Sequence, residues 1–172
     1  MHALARIAWI AAASVVLLLL AGRAGVFAGR RPTDLGVHDG LLKPPSPTGN
    51  SVSSQAAQYP GAGALYARIE PIRSRGDAAD AVARIARVVQ TMPGARIVER
   101  RADYLYAQFT TRWLRFVDDV EFYAPPSEKV MHVRSASRLG RRDFGVNRKR
   151  VEALRERLQG LSLRTPGDRL SA

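Results

Sequence analysis

The sequence predicts an α+β protein: an N-terminal apolar helix, then a two-layer domain ordered strand, helix, four antiparallel strands, helix. Three observations predict it. An uncharged apolar run extends from Ile7 to Gly22. Two later stretches repeat apolar residues at helical spacing. Between them lie four short runs rich in β-formers, separated by turn residues. The chain thus divides into an anchor or signal segment (1–29), a Pro/Gly/Ser-rich extended segment (30–62), an α+β domain (63–160) and a polar tail (161–172) that is expected to fray.

A membrane span needs ~20 mostly apolar residues, with about 17 tolerated. The run after Arg6 reaches that length only if the Arg23 side chain snorkels to the interface. A cleaved signal peptide is the competing reading, with Val26-Phe27-Ala28 ahead of Gly29 a passable cleavage site. The length and flanks favour a single uncleaved span. Arginines stand on both sides, Arg6 before and Arg23, Arg30 and Arg31 after, so they do not orient it.

From 30 to 58 the composition turns to Pro, Gly and Ser. The stretch Lys43-Pro-Pro-Ser-Pro-Thr-Gly-Asn50 suits neither a helix nor a central strand, and reads as an extended segment over the domain or as a linker. The folded core is expected to begin near Gly63, with Leu65, Ala67 and Ile69 as the inward side of a strand over 65–70. Asp77 then caps a helix whose stripe is Val82, Ile85, Ala86, Val89 and Met92, and Pro93-Gly94 stops it. Strands are expected over 95–100, 104–110, 117–123 and 129–135, paired as an antiparallel meander because their connections are short. Asn147 is read as the cap of a last helix, with Val146 and Val151 as a hydrophobic staple and Gly160 at its end.

Composition limits the chemistry. The chain carries 27 Lys+Arg against 15 Asp+Glu, a net charge of +12. That excess suits an anionic partner such as phospholipid head groups, an acidic envelope polymer or nucleic acid; the plainer reading is a basic solvated surface. The chain has no Cys, which removes thiol catalysis and disulfides. Three histidines, His2, His38 and His132, are too few for a multi-histidine metal centre, and no cofactor is implied.

The candidate site lies on two strands and the start of the last helix. Alternation puts Asp119 and Glu121 on one sheet face, opposite His132 and Arg134 of the next strand. The plain reading is a ladder of ion pairs on an open, solvated face, worth ~0.2–1 kcal/mol per pair. The functional reading is a polar face in which Arg134 grips an anion. Asp118, Asp119 and Glu121 as a metal site is disfavoured, since neighbouring strand residues point to opposite faces. Ser135, Ser137, Arg138, Arg141, Arg142, Asn147 and Arg148 gather hydroxyls and positive charge near the helix N-terminus, where free N–H groups also favour anions. Ser51-Val-Ser-Ser-Gln55 offers hydroxyls, for which His132 or His38 is the only plausible base, yet no nucleophile elbow or triad signature accompanies them. Tyr104, Tyr106 and Trp113 lack a base-stacking pattern, so nucleic acid is not the expected partner.

Three stretches carry a family likeness: Arg31-Pro-Thr-Asp-Leu-Gly-Val-His-Asp-Gly40, Phe116-Val-Asp-Asp-Val-Glu-Phe122, and His132-Val-Arg-Ser-Ala-Ser-Arg138 running on into Asp143-Phe-Gly-Val-Asn-Arg-Lys-Arg150. Through them the chain resembles the uncharacterised bacterial and plastid family called domain of unknown function 1499. The resemblance implies a small membrane-associated envelope protein with no assigned activity. It implies a location at the bacterial inner membrane with the domain in the periplasm, or free in the periplasm if the N-terminus is cleaved. The family usually carries two cysteines in the extended segment, where this chain has Pro45 and Ser51. Their joint loss is what a paired disulfide would predict. The expected function is therefore a non-enzymatic, membrane-anchored accessory domain that binds an anionic lipid, polymer or partner through an Arg-rich face. The alternative is a weakly marked enzyme using Asp118, Asp119, Glu121 and His132 on a phosphate-bearing or glycan substrate.

Overall fold

The computed structural model describes residues 2–61 and 64–163. It has an apolar helix, a β-sheet domain and a C-terminal helix, an α+β architecture. Helix α1 (His2–Arg23) is long and apolar enough to cross a membrane, and its apolar window is not buried by the rest of the chain. After it come a hairpin of β1 (Val37–His38) and β2 (Leu41–Leu42), then β3 (Ser51–Ser53), a short helix α2 (Ala64–Ala67), β4 (Ile72–Arg73) and helix α3 (Ala78–Gln90). The meander β5 (Ala95–Arg100), β6 (Tyr104–Thr110), β7 (Val117–Tyr123) and β8 (Val130–Ser137) leads to helix α4 (Val146–Leu163).

The four meander strands pair antiparallel in sequence order, as their short turns require. The free edge of β8 is filled end to end: β3 pairs with its later half and β4 with its start. Asp77 caps α3 as expected, its carboxylate accepting the Asp80 N–H at 2.8 Å. Gly94, at φ 72°, ends the turn after it, where an added Cβ would lie 2.2 Å from the Thr110 carbonyl oxygen. Leu105, Ala107, Phe109, Val120, Phe122, Met131 and Val133 form the inner sheet face and pack against Val82, Ile85, Val89, Val151 and Leu154 of the two helices. Alternate inward residues on strands and a 3.6-residue stripe on helices make this single core.

Four expectations change. No strand covers 65–70: α2 takes that place, and Leu65 is 82 % exposed. The free edge of β8 is taken by β3 and β4, and the 65–70 stretch meets the sheet only through a bridge between Arg68 and Ser53. Of the two readings of the extended segment, the cover over the domain holds and the linker does not. The segment runs across the second sheet face, so that face is closed rather than solvated. Helix α4 continues past Gly160, and its start is capped by Asp143 rather than by Asn147. The expected start at Gly63 and the tail beyond 163 lie outside the described residues.

The hairpin in the segment has a local cause. Asp39 and Gly40 both have positive φ, 51° and 76°, the two-residue Asp-Gly turn that matches strand twist. Gln55 fixes the hairpin to the domain, accepting the Leu42 N–H at 2.9 Å and donating to the Gly40 carbonyl at 3.0 Å. Leu42 then packs with Tyr104 and Tyr106, and Leu35, Val37 and Tyr123 close around them.

Candidate functional site

Strand alternation sends Tyr104, Tyr106, Asp119, Glu121, Arg134 and Arg138 to the face beneath the segment, which acts as a strap. Glu121 faces Arg134 directly across β7 and β8, as the sequence predicts. The pair is buried, Glu121 at 0 % exposure, with Arg134 Nη1 3.5 Å from Glu121 Oε2. Glu121 Oε1 also accepts the Gly36 N–H of the strap at 2.8 Å and the Tyr104 hydroxyl at 2.9 Å. Arg134 Nε donates to the Pro44 carbonyl of the strap at 3.2 Å. Burial pushes the Glu121 carboxyl up and the Arg134 guanidinium down from their ordinary values, each opposed by its partner's charge.

Asp119 pairs with Arg138 through two hydrogen bonds, Nε to Oδ2 at 2.8 Å and Nη2 to Oδ1 at 2.7 Å. It also accepts the Tyr106 hydroxyl at 2.5 Å, and Arg31 of the strap lies 4.8 Å over the Tyr106 ring. Burial, then the bond to Asp119, raises the Tyr106 pKa above the usual phenol value.

Asp118 points the other way, toward α4, where it binds Arg150. The three carboxylates are therefore not brought together. Beside Asp118, Asn147 forms a second buried knot. Its Oδ1 accepts the Ser135 hydroxyl and Arg150, both at 2.6 Å, and its Nδ2 donates to the Asn50 carbonyl at 3.1 Å and Ser137 Oγ at 3.0 Å. Among the described residues, no buried side-chain nitrogen or oxygen lacks a hydrogen-bond partner. Most of the suspected residues thus hold the fold together with one another.

Residues 41–158 match the family described as Protein of unknown function (DUF1499). The chain belongs to this family. The match takes in both buried knots but not Gly36 or Arg31, so the first half of the strap lies outside it. No curated protein and no solved structure shows a significant match to the chain.

The Arg-rich start of α4 divides once contacts are assigned. Arg138 is held by Asp119, and Arg148 donates to the carbonyls of Tyr66 and Arg68. The helix N-terminus is filled by the chain's own Asp143, whose carboxylate accepts the N–H groups of Asn147 and Gly145 and the Tyr66 hydroxyl. An external anion has no free N–H cradle there, contrary to expectation. Arg141 and Arg142 remain exposed.

Burial alone would raise the Asp143 carboxyl, but the Tyr66 hydroxyl and those two N–H groups outweigh it and hold its pKa below the usual value. A lowered folded-state pKa stabilises above the unfolded value of about 4 and loses that contribution as pH falls through the folded one. Asp143→Asn is therefore expected to melt below the parent at neutral pH, with the gap narrowing toward pH 3. A gap that stays constant with pH would remove the charge from this account.

His132 does not pair with Asp119 or Glu121. It sits opposite Tyr123, with Nδ1 3.2 Å from Ser54 Oγ and Nε2 3.3 Å from Glu128 Oε2. Ser54 belongs to the Ser51–Gln55 stretch for which His132 or His38 is the plausible base, and the fold brings it to His132 across 78 residues. Ser54 Oγ also accepts the Val133 N–H at 3.0 Å, which ties the hydroxyl to the sheet edge. At this same end of β8 an open cleft of about 980 Å³ lies between β4, α3 and α4, lined by Arg73, Arg75, Arg84, Lys129 and Arg155, with Glu70 its one lining carboxylate.

Proposed function

We propose that the protein is a membrane-anchored, non-enzymatic accessory domain of the cell envelope that binds an anionic lipid, polymer or partner through exposed arginines. The junction between α1 and the domain carries this reading. Gly22 packs so closely on Leu114 that an added Cβ would lie 2.7 Å from its carbonyl oxygen, and the Phe27 ring stacks on Phe116 at 5.3 Å. Cleavage near Ala28 would remove both contacts, which favours retention of the helix. The buried acids also favour binding over catalysis, since their charge and hydrogen bonds are used within the fold. Arg141 and Arg142 are the suspected cations left for a ligand.

Intact mass of the mature protein tests the anchor, and a chain beginning near Gly29 would sink it. Native mass spectrometry of the detergent-extracted protein tests the binding. An anionic molecule should co-purify, and less of it with Arg141→Gln plus Arg142→Gln, at unchanged melting temperature because exposed charges add little to folding. Equal loading of parent and double variant would refute the arginine face.

One observation favours a second reading, a hydrolase: the line Ser54, His132, Glu128 has the composition of a nucleophile, base and orienting acid. If it acts so, a fluorophosphonate probe should label the native chain and fail to label Ser54→Ala. An unlabelled native chain would dismiss it.

A further inference from the structure

The anchor sets the depth of one end of the domain. Helix α1 is about 33 Å long at 1.5 Å per residue, against a hydrocarbon layer of about 30 Å. Its apolar run ends at Gly22 and charge begins at Arg23, so a spanning α1 places Gly22 at the boundary between hydrocarbon and head groups. Gly22 touches the backbone of Leu114, in the turn between β6 and β7. That turn is therefore at the same depth.

Its composition suits the place. Trp113 is 65 % exposed, next to Leu114, with the Arg112 guanidinium 4.9 Å from its ring. Arg115 is exposed on its other side. Tryptophan concentrates at this level because its ring is apolar and its N–H seeks a polar partner, while arginine there reaches lipid phosphate. The turn is also closed at its base. The Thr111 N–H donates to the Phe116 carbonyl and the Phe116 N–H donates to Thr111 Oγ1, both at 2.9 Å. The loop leaving β8 lies at the same end, since Ser137 pairs with Asp118 at the start of β7. It exposes Leu139 at 40 % and Phe144 at 89 %. Gly29 of the chain leaving α1 packs against Arg138 and Leu139.

We infer that the turn between β6 and β7 seats the domain on an anionic bilayer surface, with Trp113 in the head-group layer and Arg112 and Arg115 on lipid phosphates. The inference rests on α1 being a retained span. It adds that the domain lies against the membrane in one orientation instead of swinging from a tether. The opposite end of β8, with the cleft between α3 and α4, then faces away from the lipid.

The chain has two tryptophans, Trp9 in α1 and Trp113, so each can be read alone in the full-length protein in anionic nanodiscs. With Trp9→Phe, Trp113 emission should be quenched by lipid brominated near the head groups and protected from aqueous acrylamide. With Trp113→Phe, Trp9 should be quenched by brominated lipid. Failure of the Trp9 signal would overturn the anchor itself. A quenched Trp9 with a Trp113 open to acrylamide would overturn the seat alone. A Trp113 protected from acrylamide but untouched by brominated lipid would assign the turn to a protein partner and also overturn it. Gly22→Val, which forces α1 off Leu114, should reduce lipid quenching of Trp113 and leave Trp9 unchanged. Arg112→Gln should lower the docked-to-undocked ratio about fivefold, the factor that one basic side chain supplies near an anionic surface. An equal Trp113 signal in zwitterionic and anionic discs would refute the attraction to an anionic surface.

Discussion

Glu121→Leu is expected to destabilise the domain by about 3–5 kcal/mol, because it leaves Arg134 buried without its counter-charge. Arg134 has no route to water while the strap is in place, since its side chain is 4 % exposed and already bonded to Pro44. Chemical denaturation should show a lower midpoint at unchanged slope. Adding Arg134→Met should recover the part due to the stranded cation. The rest would persist, since the Gly36 N–H and Tyr104 hydroxyl also lose their acceptor at about 1–3 kcal/mol each. A cost for Glu121→Leu below about 1 kcal/mol, the range of an exposed pair, would mean that the face is open.

Asn147→Ala is expected to cost roughly 2–4 kcal/mol, from several buried partners losing their mate at about 1–3 kcal/mol each, partly offset by the bonds that remain. The Ser135 hydroxyl would lose its acceptor, while its oxygen keeps Arg150 and the Asn50 carbonyl keeps the Ser137 N–H, which is the source of the offset. Because Asn147 joins α4 to β8 and to the chain entering β3, the loss should also speed amide exchange in β3. A thermal melt within the range of a surface change, about 0.5 kcal/mol, would show that the knot is not formed.

The meander, both main helices and the Glu121–Arg134 pairing were legible because they follow from periodicity and short turns. Such signals are local. What was missed depends on contacts between distant segments. The strap has no repeating pattern, and its Pro44, Pro45 and Pro47 suggest a linker as readily as an extended cover. Its one local signal, Asp39-Gly40 between Val37-His38 and Leu41-Leu42, marks a hairpin and could have been read. The strand expected over 65–70 shows the opposite error. Alternation was present, but the segments that pair with the edge of β8 are Ser51–Ser53 and Ile72–Arg73. The open-face reading of Asp119 and Glu121 failed with the strap, since solvation cannot be read from a strand pattern when an irregular segment supplies the cover. The Arg-rich helix start was visible as composition, yet the sequence did not tell which guanidiniums meet acids, which meet carbonyls and which stay in water.

The strap also fixes an order of events. Gly36 meets Glu121 across 85 residues of chain, and Pro44 meets Arg134 across 90. Contacts of such separation form late, because the chain between them must first be brought together. The segment made early is thus among the last to settle. Until β8 is complete, its guanidinium is missing and the acidic strand stands in water with nothing to neutralise it. A chain cut short before Arg134 would therefore hold its strap loose and its carboxylates bare, a state chemically distinct from the finished protein.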